Sequence, residues 1–252
     1  MTISIITVVY NNVASVEQCI QSALSQSYPD IEYIVIDGGS TDGTCEIIEK
    51  YRKNITHYVS EHDGGMYFGL NKGIVLASGD VVGILHSDDL FQCTDVITNV
   101  AEVFNKTGCD AVYGDLWYVA KDDPDKVIRN WKSTPFDVRN FFHGWMPPHP
   151  TLFLKRNVYS DFGLFDTSYK IAADYDLMLR TVGSGKLHCE YLPQVITRMR
   201  VGGASNKSLH NIWIKSRDDW HALRRNKKGG VYTLIMKNVS KLGQFLVRKQ
   251  KK

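Results

Sequence analysis

The chain has 252 residues, 43% of them hydrophobic, which is enough for one full-sized α/β domain with its own core. A net charge of +3 is too small an excess to point to nucleic acid as a partner. The 5 cysteines are scattered without a CxxC pair, which argues against a disulfide framework or zinc site and suits a reducing, cytosolic setting. Residues 3–10, rich in Ile and Val, read as a buried first strand that ends in the polar pair Asn11-Asn12. No signal peptide is expected at this end, and no apolar run is long enough to span a bilayer. Ser15-Val16-Glu17-Gln18 has the form of a capping box, with Ser15 as N-cap and Gln18 three residues on. Val16, Ile20, Ala23 and Leu24 then form a helical stripe. Residues 31–36 predict a second strand running into Asp37. The loop from Gly38 to Thr44 is Gly-rich, so its backbone can approach a ligand closely. It is neither a Walker A loop nor GxGxxG, and it opens a short helix, 45–51.

Residues 55–59 predict a third strand, and 66–77 a helix carrying Asn71 and Lys72. A turn at Ser78-Gly79-Asp80 launches 81–85, an apolar run that reads as a strand buried on both faces. It stops at two adjacent carboxylates, Asp88 and Asp89. In open α/β sheets, ligands bind outside the carboxyl ends of the strands. Adjacent side chains at a strand end point different ways, so one acid can reach a metal while the other meets a sugar hydroxyl. A helix-capping role is the competing reading of the pair. Alternation of strands and helices to this point argues for a parallel, doubly wound sheet with right-handed crossovers.

After a helix at 94–105 the pattern changes. Residues 111–118 and 127–131 read as strands around a turn at Asp122-Asp123-Pro124. Residues 136–150 are irregular and aromatic, with Trp145 and His149 among them, and suit either a sugar platform or core filling beneath a long loop. A helix at 171–182 carries Asp174 and Asp176 near its start, where acids also suit the helix dipole. Residues 187–191 and 195–199 read as two late strands, and Gly202-Gly203-Ala204-Ser205 as a hinge. Helices are expected at 209–224 and 231–248. The second of these recurs in Val231, Leu234, Ile235, Val239, Leu242, Phe245 and Leu246, with Lys237, Lys241, Arg248, Lys249, Lys251 and Lys252 beside them. Such a helix can lie on an anionic membrane surface or pack on protein. The domain expectation is 1–207 as the body and 208–252 as a basic, amphipathic tail.

Taken together, these residues resemble glycosyltransferase family 2, of the GT-A fold, over about 3–205. The resemblance is carried by Ser4-Ile5-Ile6-Thr7-Val8-Val9-Tyr10-Asn11, Ile36-Asp37-Gly38-Gly39-Ser40-Thr41-Asp42-Gly43-Thr44, Asn71-Lys72-Gly73, Ser87-Asp88-Asp89 and Ala173-Asp174-Tyr175-Asp176-Leu177. His149 before Phe153-Leu154-Lys155-Arg156 also belongs to it. The nearest kind is the bacterial enzymes that build O-antigen, capsule or exopolysaccharide. The resemblance implies a GT-A, Rossmann-like, mostly parallel sheet with helices on both faces and an inverting transfer. It implies that Val8 and Tyr10 line the nucleotide site and that Asp37 accepts from the N3–H of uracil. Lys72 and Asp88 would also meet the donor, Asp89 would bind Mn²⁺ or Mg²⁺ beneath the diphosphate, and Asp174 would be the general base. Trp145 and His149 would face the acceptor. His86, Ala173 and Phe68-Gly69 depart from frequent family residues, which bears on donor-sugar contacts. The QxxRW motif of processive synthases is missing, which argues for a single transfer.

The expected activity is therefore transfer of a hexosyl or N-acetylhexosaminyl group from a nucleotide sugar, UDP-linked by the Asp37 argument, to a glycan or lipid-linked acceptor. Two other readings stay open: a sugar nucleotidyltransferase, and a non-catalytic nucleotide-sugar-binding module. The first wants a basic Gly-rich loop after strand one, where this chain has Asn11-Asn12-Val13-Ala14. The expected place is the cytoplasm, with the inner face of the cytoplasmic membrane as a peripheral site.

Overall fold

The computed structural model describes residues 1–202 and 209–239. In chain order, β1 (Ile3–Val9), α1 (Val16–Leu24), β2 (Ile31–Asp37), α2 (Thr44–Lys50), β3 (His57–Ser60), α3 (Met66–Leu76) and β4 (Val81–Ile84) form the predicted alternating half. There follow β5 (Leu90–Phe91), α4 (Val96–Thr107), β6 (Ala111–Val119), β7 (Val127–Trp131), β8 (Phe153–Lys155), α5 (Arg156–Phe162), α6 (Ala173–Arg180), β9 (Cys189–Arg200), α7 (Leu209–Arg225) and α8 (Val231–Val239). One sheet runs β3-β2-β1-β4-β8-β6-β9-β5, with β7 on β6. The β3-β2-β1-β4 half is parallel. Beyond it, β8 enters antiparallel to both neighbours, and β9 pairs parallel with β6.

Within the parallel half β1, β2 and β4 are buried on both faces, as their mostly apolar runs predict, while the edge strand β3 is half-buried. Alternate residues of each strand feed opposite cores. Ile6, Val8, Ile34, Ile36 and Val82 pack with α3 and α6, whereas Ile3, Ile5, Tyr33, Val35 and Val81 pack with α1 and α4. Gly83 pairs with Phe153 across β4 and β8. A Cβ at Gly83 would lie 2.3 Å from the Phe153 ring, so the antiparallel strand can close on β4 only against glycine.

Several expectations change. The Ser15 capping box does not form: Ser15 Oγ donates to Asn12 Oδ1 at 2.6 Å, and Gln18 is taken by Arg200. The two late strands are one, β9, whose pairing with β6 shifts register on either side of Asp115. Pro193 falls in that irregular stretch, where a missing N–H costs no ladder bond. β5, β8 and α5 went unread because each is too short to show a period.

The C-terminal helices are not a free tail. The Asp218 carboxylate on α7 accepts from the N–H groups of Lys170 and Ile171 at 3.1 and 3.2 Å, just before α6. Lys237 on α8 is 3% exposed, ion-pairs with buried Asp219 at 2.7 Å and lies 3.2 Å above the Tyr175 ring. α8 thus turns Thr233 and Lys237 inward and leaves Val231, Tyr232, Ile235 and Val239 exposed. This is not a helix docked by its apolar face. The expected hinge at 203–205 and the helix beyond 239 lie outside the described residues. Among the described residues no helix is long and apolar enough to cross a membrane.

Candidate active site

The parallel strands end together, and their loops are stitched to one another. Asn11, with a left-handed φ of 46°, turns the chain sharply after β1. Its N–H donates to Ser40 Oγ at 2.8 Å, and its Oδ1 accepts from the N–H of Thr41 at 2.9 Å. The N–H groups of Asn12 and Val13 donate to Thr44 Oγ1 and Asp42 Oδ2. Asn12 Nδ2 crosses to Ser87 Oγ at 3.0 Å, beside the acid pair. These bonds lock the Gly-rich loop to the end of β1.

Asp37 builds that loop. It is 0% exposed. Its Oδ2 accepts from the N–H groups of Gly39 and Ser40 and from Ser60 Oγ, at 3.1, 3.0 and 2.7 Å, and its Oδ1 accepts from Ser40 Oγ. Burial works to raise its pKa, but the hydrogen bonds from Ser40 and Ser60 outweigh it and hold the carboxyl below its usual range. Most of these bonds fall on Oδ2, and Oδ1 takes only the Ser40 hydroxyl.

A second acid lies beside the same loop. Asp63, half-buried in the loop between β3 and α3, accepts from the N–H of Gly65 through Oδ1 at 2.8 Å. Its Oδ2 is shut from water and has no hydrogen-bond partner. Gly38 and Gly69 flank it: a Cβ on Gly38 would sit 3.3 Å from Asp63 Oδ1, and one on Gly69 3.1 Å from Oδ2. Val8 packs against Gly69, and the Tyr10 ring, 62% exposed, borders Gly38. Sequence reasoning passed over Asp63; the one signal was an acid directly before Gly64-Gly65. Lys72 is held at the surface by Glu61, at 2.5 Å.

At the end of β4, the two acids have different surroundings. Asp88 is half-buried, whereas Asp89 is 0% exposed. Burial, and then the charge of Asp88, push the Asp89 carboxyl well up. Its Oδ1 accepts from the N–H of Arg200, and its Oδ2 is buried with no partner. The Arg200 guanidinium, buried at the end of β9, donates to the Asp88 carbonyl oxygen at 2.5 Å and to Gln18 Oε1. Arg200 was not among the expected site residues, because only the sheet brings position 200 beside position 88. Among the described residues no cage of three or more His, Cys, Asp or Glu side chains stands ready for a cation. An orphaned Asp89 oxygen nonetheless fits a hard divalent ion of the kind that takes one or two carboxylates and completes its shell from phosphates and water.

His86 and His149 face each other with ring centroids 5.6 Å apart, and His149 also packs edge-on against Phe165. Burial pulls the His149 imidazole down to about 4, against the pull of Asp174, and lowers His86 as well. The Nε2 of His149 is buried without a partner. Asp174 opens α6, half-buried, with the Tyr67 hydroxyl 3.5 Å from its Oδ1. Tyr67 also donates to the Ile171 carbonyl oxygen, which ties α3 to the start of α6. Asp176 points about 200° away on the helix. It is 0% exposed, paired with Arg180 at 2.7 Å and bonded by Asn226 Nδ2 at 2.9 Å. Trp145 lies edge-on to Tyr113 and Phe141, the core-filling alternative for that ring. An aromatic platform forms instead where Tyr118 and Trp131 stack at 6.5 Å with Arg129 over Tyr118 at 4.4 Å. The charges of Asp89 and Asp174 both reach the Tyr118 phenol, whose pKa is raised first by burial.

The strand-end acids, the glycine-lined cradle beside Asp63 and the half-buried acid of α6 therefore share one end of the sheet. Comparison with known proteins agrees with this arrangement. An uncharacterized glycosyltransferase of Mycobacterium tuberculosis is 33% identical over 181 residues, 71% of this chain and 68% of that protein. A PGL/p-HBAD biosynthesis glycosyltransferase of Mycobacterium bovis is 27% identical over 221 residues, covering 84% and 82%. Among solved structures, S. aureus TarS 1-349 in complex with UDP-GlcNAc superposes with a TM-score of 0.68 at 18% identity, over 90% of this chain and 65% of that one. The mannosyltransferase PcManGT from Pyrobaculum calidifontis, in complex with GDP-Man and Mn²⁺, gives 0.65 at 19%, over 93% and 68%. The chain spans only 39% of the longer TarS structure. These likenesses show a GT-A architecture. Residues 4–163 match the family described as Glycosyl transferase family 2, more than half of the sequence, and with the fold and the relatives in agreement, the chain belongs to that family.

Proposed function

We propose that this glycosyltransferase is inverting and divalent-metal-dependent, and that it moves one hexosyl or N-acetylhexosaminyl group from a UDP-sugar to a hydroxyl of a glycan or lipid-linked acceptor in cell-surface polysaccharide synthesis. The observation that carries the reading is the contrast between two acids at one end of the sheet. Asp89 is sealed with an orphaned oxygen, and Asp174 is only half-buried at the start of α6. The UDP-GlcNAc complex of TarS supports a UDP-sugar donor, and the Mn²⁺ in PcManGT supports a divalent cation.

Asp89 would hold Mn²⁺ or Mg²⁺, which when bound neutralises charge developing on the diphosphate. Asp88, half-buried beside it, is positioned to meet the ribose or donor sugar. Val8 and Tyr10 would border the nucleobase, and Lys72, paired with Glu61, would meet the donor. Asp174 takes the proton of the acceptor hydroxyl as that oxygen attacks the anomeric carbon, while the bond to the diphosphate breaks on the opposite face. His149, neutral at ordinary pH and with a free ring nitrogen, can bond an acceptor hydroxyl without adding charge. The exposed stripe of α8 and the basic residues that follow it in sequence support an anionic membrane surface as a partner, with the enzyme peripheral at the inner face of the cytoplasmic membrane.

The test is a panel of UDP-, dTDP- and GDP-sugars with Mn²⁺, read by release of nucleoside diphosphate with and without acceptor sugars. A UDP-sugar should turn over, and Asp89→Ala should abolish the reaction in a folded protein. Full activity in excess EDTA would sink the metal assignment. Pyrophosphate release from a nucleoside triphosphate and a sugar phosphate would favour a nucleotidyltransferase.

A further inference from the structure

We propose that Asp218 and Tyr67 are positioning residues for the transfer: together they clamp the backbone of Ile171 and so aim Asp174 from the first turn of α6. This rests on the reading of Asp174 as the general base given above. Asp174 does little to place itself. Among the described residues it has no ion pair, and its carboxylate meets the Tyr67 hydroxyl only at 3.5 Å. Nor does α6 cap itself. Ala172, the residue before it, has no side chain that can accept a hydrogen bond, and Ala is a poor N-cap. The direction of the Asp174 side chain is therefore inherited from the backbone that leads into the helix.

That backbone is held from two sides by remote residues. Asp218, buried on α7, accepts from the N–H groups of Lys170 and Ile171 through Oδ2 at 3.1 and 3.2 Å, and its Oδ1 accepts from Arg217 Nη2 at 3.2 Å. Bonds to an ionised acceptor are the strong kind. The Tyr67 hydroxyl, on α3, donates to the Ile171 carbonyl oxygen, while its ring stacks on Phe165 at 5.7 Å. Ile171 is thus fixed at its N–H by one helix and at its C=O by another, three residues before Asp174. The rest of α6 is fastened separately. Asp176 is tied to Arg180 and to Asn226, and Lys237 lies 3.2 Å above the Tyr175 ring. The remaining freedom is in the lead-in turn, and the clamp removes it. The family match ends at residue 163, so the α7 arm of the clamp lies outside it. A general base must come within hydrogen-bond reach of the hydroxyl it deprotonates, and a misplacement of about 1 Å can cost about a hundredfold in rate.

The experiment measures transfer by the purified full chain, using the UDP-sugar that turns over in the panel above, and UDP binding by calorimetry with Mn²⁺. Tyr67→Phe removes only the hydroxyl, and Asp218→Ala removes the acceptor of both N–H groups. Each should lower kcat about tenfold to a hundredfold, with the Kd for UDP unchanged within about twofold. In an Asp174→Asn background the same changes should lower the residual rate by less than about twofold, because misaiming a base costs nothing once the base is gone. A merely structural role gives a different pattern: UDP affinity falls along with kcat, or the full factor persists without the base. Either result overturns the proposal, as does a parent-like kcat in every variant that folds. Should Asp218→Ala fail to fold, Tyr67→Phe carries the same readings. An Asp174→Asn protein as fast as the parent would overturn the base assignment and the clamp with it, whereas the other outcomes leave that assignment standing.

Discussion

Asp174 and Asp176 lie two residues apart on one helix, yet the structure gives them different work, and isosteric substitution separates the two. Asp176 is fully buried, 2.7 Å from Arg180, whose side chain is 19% exposed, and 2.9 Å from Asn226. Arg180 also donates to the carbonyl oxygens of Phe162 and Leu164, so the pair fastens the loop after α5 to α6. Breaking a fully buried ion pair costs about 3–5 kcal/mol; the partial exposure of Arg180 lowers this to about 2–3 kcal/mol for Asp176→Asn. For a domain of this size that is a fall in Tm of about 4–12 °C. Among the described residues Asp174 has no ion pair and only a long contact with Tyr67, so Asp174→Asn should leave Tm within about 1 °C. Its transfer rate should fall about a hundredfold or more, as expected for loss of a general base, with donor binding retained. The assay pairs thermal melting with nucleoside diphosphate release per folded molecule, taken well below the melting range. The reasoning is refuted if Asp174→Asn transfers sugar at near the parent rate while folded Asp176→Asn is dead.

Three further outcomes follow from buried charge and exposed apolar surface. His149 has a folded pKa of about 4 against an ordinary 6.5, so as pH falls through that window the unfolded chain takes up a proton that the folded chain refuses. Stability should therefore drop from pH 6.5 towards 4, by about 3 kcal/mol at most, and His149→Phe should flatten that slope in urea titrations at several pH values. Lys237→Met should cost about 3–5 kcal/mol by stranding Asp219, and adding Asp219→Leu should recover most of it; a double variant as unstable as the single would refute the pairing. Ile235→Asp with Val231→Asp should weaken binding to anionic liposomes at nearly unchanged Tm, because both residues are exposed on α8. These changes are cleaner than truncation after Gly230, which would also remove Lys237 from Asp219. Equal binding of the variant and the parent would remove the membrane role.

The parallel half of the sheet was legible in the sequence because a strand buried on both faces must be mostly apolar, and 3–10, 31–36 and 81–85 are, with only Ser4, Thr7 and Glu32 as exceptions. The same logic placed Asp37 and Asp89 at strand ends, and the order of the motifs pointed to the family. What the sequence could not settle depends on distances between remote residues. Asp37 could be placed at a strand end, but local pattern could not show that Gly39 and Ser40 of its own loop and Ser60 from the neighbouring strand all donate to it. Asp63 carried no periodic signal, and its place beside Gly38 and Gly69 exists only once α3 packs on β1. Arg200 meets Asp88, Gln18 and Asp89 across separations of more than a hundred positions because β9 pairs antiparallel with β5, Leu90 opposite Arg198. On α8, helical periodicity correctly announced a helix but not which face is buried. One ion pair, Lys237 with Asp219, turned the polar face inward, because a desolvated charge must follow its partner. Local pattern determines which segments become strands and helices; which polar atoms are left free for a ligand is decided only by the donors and acceptors that packing brings against them.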